Sequence, residues 1–267
     1  MESGRQKVTR KDVAREAGVS ETIVSYVLNK NRYVKEEKRQ RVLEVVEKLQ
    51  YHPNNIARAL HGKGSLQILF LAEELSSGYF SELVSQMSRD AYRRGYMISL
   101  CESQEEDEFV SQILSRQFDG LFVSASSVTD RELKLLVKSG IPMVLFLNRE
   151  ISCELQDTVV VDTGLYEGSR ECVKYLVKNG CRNFVYLDKT GKQCDRDIHW
   201  KGFLDQIKES EITFAQAQRI SGCEDIKELE QKLPLMLEEN PFVVAIVARY
   251  DNLAAVALSV AGRTGRK

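Results

Sequence analysis

Val8-Thr9-Arg10-Lys11-Asp12-Val13-Ala14-Arg15-Glu16-Ala17-Gly18-Val19-Ser20-Glu21-Thr22-Ile23-Val24 decides the fold of the first part of the chain. Thr9 is an N-cap and Asp12, three residues on, completes a capping box. Val8 and Val13 stand at the two ends of a hydrophobic staple. Val13, Ala14 and Ala17 form one apolar face. Gly18 stops the helix, because a left-handed residue after a helix is cheapest as glycine. Ser20 then caps a second helix at once, with Val19 and Val24 as its staple and Ile23, Val24, Val27 and Leu28 as its apolar face. Two short helices on a tight A-G-V-S turn make a helix-turn-helix. A third helix is expected over Glu36–Leu49, where Val42, Val45, Val46 and Leu49 recur at helical spacing. Its cap position, Lys35, is a poor cap.

Working outward, the chain of 267 residues has a formal net charge of −1. That figure hides an asymmetry: residues 1–64 carry +6 and the remainder −7. A basic head on an acidic body points to a polyanion partner for the head. In a helix-turn-helix the second helix enters the major groove with its outward residues on base edges. Here those are Glu21, Thr22, Ser25 and Tyr26, which on a blander reading are merely solvated. Glu21 suits a cytosine amino group or excludes other bases. Thr9, Ser20, Asn29, Arg32 and Tyr33 are the candidate phosphate contacts, which set register without carrying sequence information. Affinity should fall steeply with salt.

After Tyr51-His52-Pro53, the run from Asn54 to Gly64 has room for about two helical turns, too few to be stable alone in water. Either it is an ordinary flexible linker, or it orders on DNA against a second copy. In the second case Asn54 and Ala57 lie at the duplex and Leu60 is a wedge that opens a base step from the minor groove. The six cysteines, at 101, 153, 172, 181, 194 and 223, avoid the head and form no C-x-x-C pair. A zinc finger in the head is excluded, no metal site is expected, and the cysteines read as small core residues. No signal-peptide core and no membrane-length apolar run is present, so a cytoplasmic protein without membrane contact is expected.

From residue 66 on, apolar runs alternate with helical patterns. Strands are expected at 66–72, 97–101, 120–124, 143–147, 158–162, 184–188 and 242–248. This order implies parallel sheets with right-handed crossovers, and ligands at the carboxyl ends of the strands. No G-x-G-x-x-G or Walker loop follows a strand, so no cofactor is expected. His52, His61 and His199 are the only histidines, and no nucleophile–base set or paired carboxylates stand out, which argues against an enzyme.

K-D-V-A-R-E-A-G-V-S-E-T-I-V-S-Y-V-L-N, V-K-E-E-K-R-Q-R-V and Y-H-P-N-N-I-A-R-A-L resemble the head and hinge of the lactose-repressor (LacI) family. More loosely, S-G-Y-F-S-E-L at 77–83, D-G-L-F-V-S at 119–124, I-P-M-V-L-F-L-N-R at 141–149, V-V-V-D-T at 159–163 and A-R-Y-D-N-L-A at 248–254 resemble that family's sugar-binding-protein-like core. The resemblance implies an all-α helix-turn-helix head and an α/β, two-lobed, periplasmic-binding-protein-like core of parallel sheets. It implies a homodimer on near-palindromic, double-stranded operator DNA, with Leu60 at the intercalating position. It also implies a small-molecule effector, a carbohydrate by default and a nucleobase as second option, controlling a repressor. The boundaries that follow are 1–52 for the head, 53–64 for the hinge, 65–157 for the first lobe and 158–267 for the second.

Effector candidates follow by position. Tyr79 and Phe80 can stack on a ring face, though Phe80 equally suits a packed core. Asn148 or Arg149 can hydrogen-bond a polar ligand. Asp251 can accept two hydroxyl protons, cap a helix before Asn252, or both. The family usually has arginine three residues before the Gly-Phe pair that is here Gly202-Phe203. This chain has His199 there, with Arg196 nearby, which weakens the case for an anionic effector. Tyr250 stands where asparagine is usual. Against the family pattern the chain stops early at Lys267, so incomplete sheets and a weakened effector response are expected. A regulator that binds DNA without responding to effector, and a transport-type solute-binding protein, are the competing readings; the head argues against the latter.

Overall fold

The computed structural model describes residues 8–53, 64–73, 75, 78–104, 108–188, 197–213, 217–220, 226–239, 241–242 and 245–265. The chain divides into two compact units, one up to Ser65 and one from Leu66.

The first unit is three helices, α1 (Arg10–Ala17), α2 (Glu21–Asn29) and α3 (Glu36–Lys48). The capping box at Thr9 and Asp12 is formed, and Gly18 closes α1 in the left-handed conformation at φ 66°. Ser20 accepts the Ile23 N–H, while Lys35 gives α3 no side-chain cap. Val13, Ala14, Ala17, Val24, Val27, Val42, Val45 and Tyr51 make the sealed core, with Ile23, Leu28, Val46 and Leu49 at its margin. One ending was not anticipated: Lys30, a non-glycine, turns left-handed at φ 50° to stop α2.

The second unit holds two parallel sheets. The first has the order β2-β1-β3-β4-β5 and the second β7-β6-β8. In chain order the elements are β1 (Gln67–Ala72), α4 (Gly78–Arg93), β2 (Met97–Glu102), α5 (Phe109–Leu114), β3 (Gly120–Ser124), α6 (Asp130–Lys138), β4 (Met143–Leu145) and β5 (Thr158–Val160). The second lobe follows with α7 (Leu165–Lys178), β6 (Phe184–Leu187), α8 (Ile198–Glu209), β7 (Ala217–Ile220), α9 (Ile226–Glu239), β8 (Ala245–Ala248) and α10 (Asp251–Arg263).

Three expectations need correction. The strand at Thr158–Val160 pairs with β4, so it closes the first sheet and the first lobe runs past residue 157. β7 escaped the sequence reading because Gln218 and Arg219 interrupt its apolar pattern. The expected strand over 143–147 ends at Leu145.

The period-2 alternation of strands divides each sheet between two cores. In the first, Leu69, Leu71, Leu121, Val123, Met143 and Leu145 pack with α5 and α6 residues such as Val110 and Leu133. The alternate residues Phe70 and Phe122 sit opposite each other in register and stack at 4.9 Å. In the second sheet the central strand β6 is sealed throughout. Phe184 and Tyr186 meet Trp200, Phe203 and Ile207 of α8. Val185 and Leu187 meet α9 and α10 through Leu233, Leu253 and Val260. Gly202 is required by close packing: a Cβ there would lie 2.3 Å from the Tyr166 carbonyl oxygen of α7.

The lobes are joined by main-chain bonds. The Ile198 N–H donates to the Asn148 carbonyl at 3.1 Å, and Arg149 pairs with Asp197 in an isolated antiparallel bridge. The Lys201 ammonium also bonds the Glu150 carboxylate. Cys101, Cys153 and Cys181 are half-buried, as core residues should be, whereas Cys172 is exposed on α7; Cys194 and Cys223 lie outside the described residues. Among the described residues no helix is long and apolar enough to cross a membrane.

Candidate nucleic-acid interface and ligand cleft

The head presents α2 outward. Glu21 and Thr22 are exposed in its first turn, and Ser25 and Tyr26 are half-buried one turn on. Asn29 is turned inward along the helix, donating through Nδ2 to the Ser25 carbonyl at 2.8 Å and to its hydroxyl at 3.0 Å. The Thr9 hydroxyl donates to Asp12 Oδ2 at 2.6 Å, and hydrogen bonds from Thr9 hold the Asp12 carboxyl below its ordinary range. Thr9 and Ser20 therefore secure helix starts: the Thr9 hydroxyl both donates to Asp12 and accepts its N–H, while the Ser20 hydroxyl accepts the Ile23 N–H. Tyr33 is 90% exposed. The Arg32 guanidinium carbon lies 5.2 Å from the centre of the Tyr26 ring. Asn54, Ala57 and Leu60 lie outside the described residues.

In the second unit the carboxyl ends of the two sheets differ in chemistry. At the first, Tyr79 is 59% exposed and its ring lies 5.5 Å from Phe80 and 6.1 Å from Phe146. Phe80 leans edge-on to the buried Phe70 at 6.1 Å, so it bridges surface and core. Asn148 keeps a buried Oδ1 with no hydrogen-bond partner. Arg149 is only 7% exposed, and both terminal nitrogens of its guanidinium donate within the first lobe. It bonds Asp130 Oδ1 at 2.7 Å, the Glu150 carbonyl at 2.8 Å and the Val128 carbonyl at 2.6 Å. These bonds fasten the first lobe internally through the Arg149 guanidinium.

At the second sheet an ionic group closes the strand ends. Asp188, the residue after β6, takes Arg219 of β7 at 2.9 Å and Arg249, the residue after β8, at 3.1 Å. Arg249 also reaches Asp197 at 2.6 Å. Asp197 caps α8, accepting the N–H groups of His199 at 2.9 Å and Trp200 at 3.0 Å. Burial pushes the Asp197 carboxyl up while Arg249 opposes it. His199 meets the Tyr186 hydroxyl through Nδ1 at 2.6 Å. Burial lowers the His199 pKa and raises that of Tyr186. The Arg219 and Arg249 guanidiniums lie over the rings of Trp200 and Tyr250, at 4.6 and 5.0 Å. Across the cleft, Glu73 after β1 feels both Arg249 and Asp197 electrostatically.

Of the expected effector residues, Tyr79, Phe80 and Asn148 gather at the first sheet and His199 at the second. Arg196 lies outside the described residues. Asp251 is exposed and is the first residue of α10; the cap position belongs to Tyr250, so the capping role expected of Asp251 is not its own. Sequence reasoning missed Asp188, Asp197, Arg219 and Arg249. The available signal was a charged residue directly ending an apolar strand, as in F-V-Y-L-D at 184–188 and A-I-V-A-R at 245–249.

Comparisons with known proteins agree with this architecture. Residues 9–54 match the family described as bacterial regulatory proteins, lacI family, and residues 65–267 match periplasmic binding proteins and sugar binding domain of LacI family. The HTH-type transcriptional repressor PurR of Histophilus somni is 27% identical over 264 residues, covering 97% of this chain and 78% of the relative. The ribose operon repressor of Halalkalibacterium halodurans is 28% identical over 263 residues, 97% of this chain and 76% of its own. Among solved structures, a Lac repressor dimer bound to operator and the anti-inducer ONPF superposes with a TM-score of 0.80 at 22% identity, covering 98% of this chain and 79% of that one. With both of its parts matched to one family, the chain belongs to the LacI family of bacterial regulatory proteins and is a DNA-binding transcriptional regulator.

Proposed function

We propose that the chain represses transcription as a homodimer on a near-palindromic double-stranded operator, under the control of a small hydroxyl-rich metabolite held between the lobes. The observation that carries the operator reading is the outer face of α2. Glu21 and Thr22 stand exposed on a helix whose start is tied by Ser20 and whose inner face is sealed by Val24 and Val27. A short helix fixed in that way presents side chains to a groove with little entropy left to lose. Glu21, Thr22, Ser25 and Tyr26 are the base-reading set. Arg32 and Tyr33 lead the phosphate contacts, with Thr9, Ser20 and Asn29 beside them, and Asn54, Ala57 and Leu60 act from the hinge. Residues 1–52, 53–64 and 65–267 are the corresponding head, hinge and two-lobed core, in a cytoplasmic protein without catalytic activity.

The cleft chemistry supports a neutral ligand over an anionic one. Arg149, Arg219 and Arg249 are each held by an aspartate, so an incoming anion would have to break a buried pair. Tyr79 and Phe80 offer ring faces and Asn148 an acceptor, which suits a sugar. The ribose operon repressor among the relatives favours the same class. Gel-shift titration of the full chain with duplexes selected from a random pool tests the first half. Tight binding to a two-fold symmetric site, falling steeply as salt rises, is expected. Equal binding to all duplexes would refute it. Calorimetry with neutral monosaccharides and with phosphorylated sugars tests the second half, and preference for the phosphorylated set would overturn the neutral-ligand reading.

A further inference from the structure

We propose that Arg32 is a positioning residue for operator choice: its guanidinium clamps the Tyr26 ring and so fixes where that side chain meets a base. This rests on the reading of α2 as the base-contacting helix. Tyr26 is the sixth residue of α2 and Arg32 lies six residues further on. In a continued helix that spacing would carry Arg32 about 240° round the axis, away from Tyr26. The left-handed turn at Lys30, φ 50° and ψ 29°, folds the chain back instead. Arg32 thereby comes over the ring at 5.2 Å, within the range where a guanidinium is drawn to an aromatic face. Tyr26, Lys30, Arg32, Tyr33 and Arg39 surround a hollow beside the end of α2.

The surroundings favour this stack over a competing ion pair. Among the described residues no carboxylate holds Arg32 within ion-pair distance, whereas Arg15, Arg41 and Lys48 of the same unit each have one. Asn29 holds the Ser25 hydroxyl, which leaves Tyr26 as the large side chain free to read on that turn. A planar guanidinium can lie flat on a ring and still donate from its edge. An edge on a phosphate with its face on Tyr26 would link the register of the backbone contact to the direction of the phenol. Arg32 acts through Tyr26 and also touches the polyanion.

The test uses the full chain, with Arg32→Ala, Arg32→Lys, Tyr26→Ala and the double variant Tyr26→Ala/Arg32→Ala. Each is selected against duplexes carrying a randomised stretch, and base preference and salt slope are measured. Arg32 is exposed and Tyr26 is half-buried outside the sealed core of the head, so a thermal melt should show each head still folded. Arg32→Ala should weaken preference about two- to fivefold at the base pair that Tyr26→Ala also affects. It should add nothing to preference when Tyr26 is already alanine. Arg32→Lys should restore the salt slope but not the preference. Uniform weakening with preference intact makes Arg32 a phosphate contact only and overturns the proposal, as does an undiminished Arg32 effect on preference in the Tyr26→Ala background. If Tyr26→Ala itself leaves preference unchanged, the base-reading role of Tyr26 fails and the proposal falls with it.

Discussion

The two lobes finish their sheets in opposite chemical styles. The first ends on rings: Tyr79, Phe80 and Phe146 stand in edge and face contact over the Phe70–Phe122 stack. The second ends on ions, with Asp188 taking two arginines and Asp197 sharing one of them. One topology has thus been given an apolar lip and a charged lip. A ligand between them would find a surface for a ring face on one side and hydrogen-bonding partners on the other. The difference also bears on stability: the ring side gains by burial alone, whereas the ionic side holds only while every charge keeps its partner.

The largest test of that contrast is Asp188→Asn. It removes the carboxylate shared by Arg219 and Arg249 and leaves buried guanidiniums short of a partner. The loss should be about 3–5 kcal/mol, read as a lower urea midpoint. A change below about 1 kcal/mol would mean that solvent already screens the group. A smaller effect is expected where the second lobe is tight for a different reason. Gly202→Ala drives a Cβ into the Tyr166 carbonyl and should cost about 1–3 kcal/mol. Gly168→Ala, on α7 with open space around it, should instead stabilise by about 0.5–1 kcal/mol. Equal effects of the two would deny that α7 and α8 touch at Gly202.

The smallest effect comes from pH. Burial lowers the His199 pKa, so the folded state prefers the neutral ring more than the unfolded chain does. The stability it contributes is present above the unfolded value, about 6.5, and is lost as pH falls through the lower folded value. Asp197 and Asp188 face the same ring and temper the shift, while the Arg249 cation adds to it. Melting temperature should therefore decline between pH 7 and pH 5, and His199→Gln should flatten the decline. An unchanged slope in that variant would place the proton elsewhere.

How much could be read beforehand follows the range of each interaction. The capping box at Thr9 and Asp12, the stop at Gly18 and the cap at Ser20 involve neighbours three or four residues apart, and their residue types carry the geometry. The alternating strands were legible for the same reason. Asp188 and Arg249 are separated by 61 residues, and neither has a local pattern that names its partner. The pairing of Arg149 with Asp130, 19 residues earlier, was equally hidden, because nothing local in either stretch names the other. β7 was hidden because Arg219 has an ionic partner that makes its place in a strand tolerable. The stop at Lys30 was hidden because lysine rarely turns left-handed.

The main-chain seam between Asn148 and Ile198 has a consequence for how this cleft can drift. Its hydrogen bond passes through atoms common to nearly all amino acids, so most exchanges at either position would keep the pivot and alter only its upholstery. Proline at 198 is the exception. It would suit the first turn of α8 well, yet it has no N–H to give to the opposite lobe, so the helix would stand while the two halves came unstitched at that point.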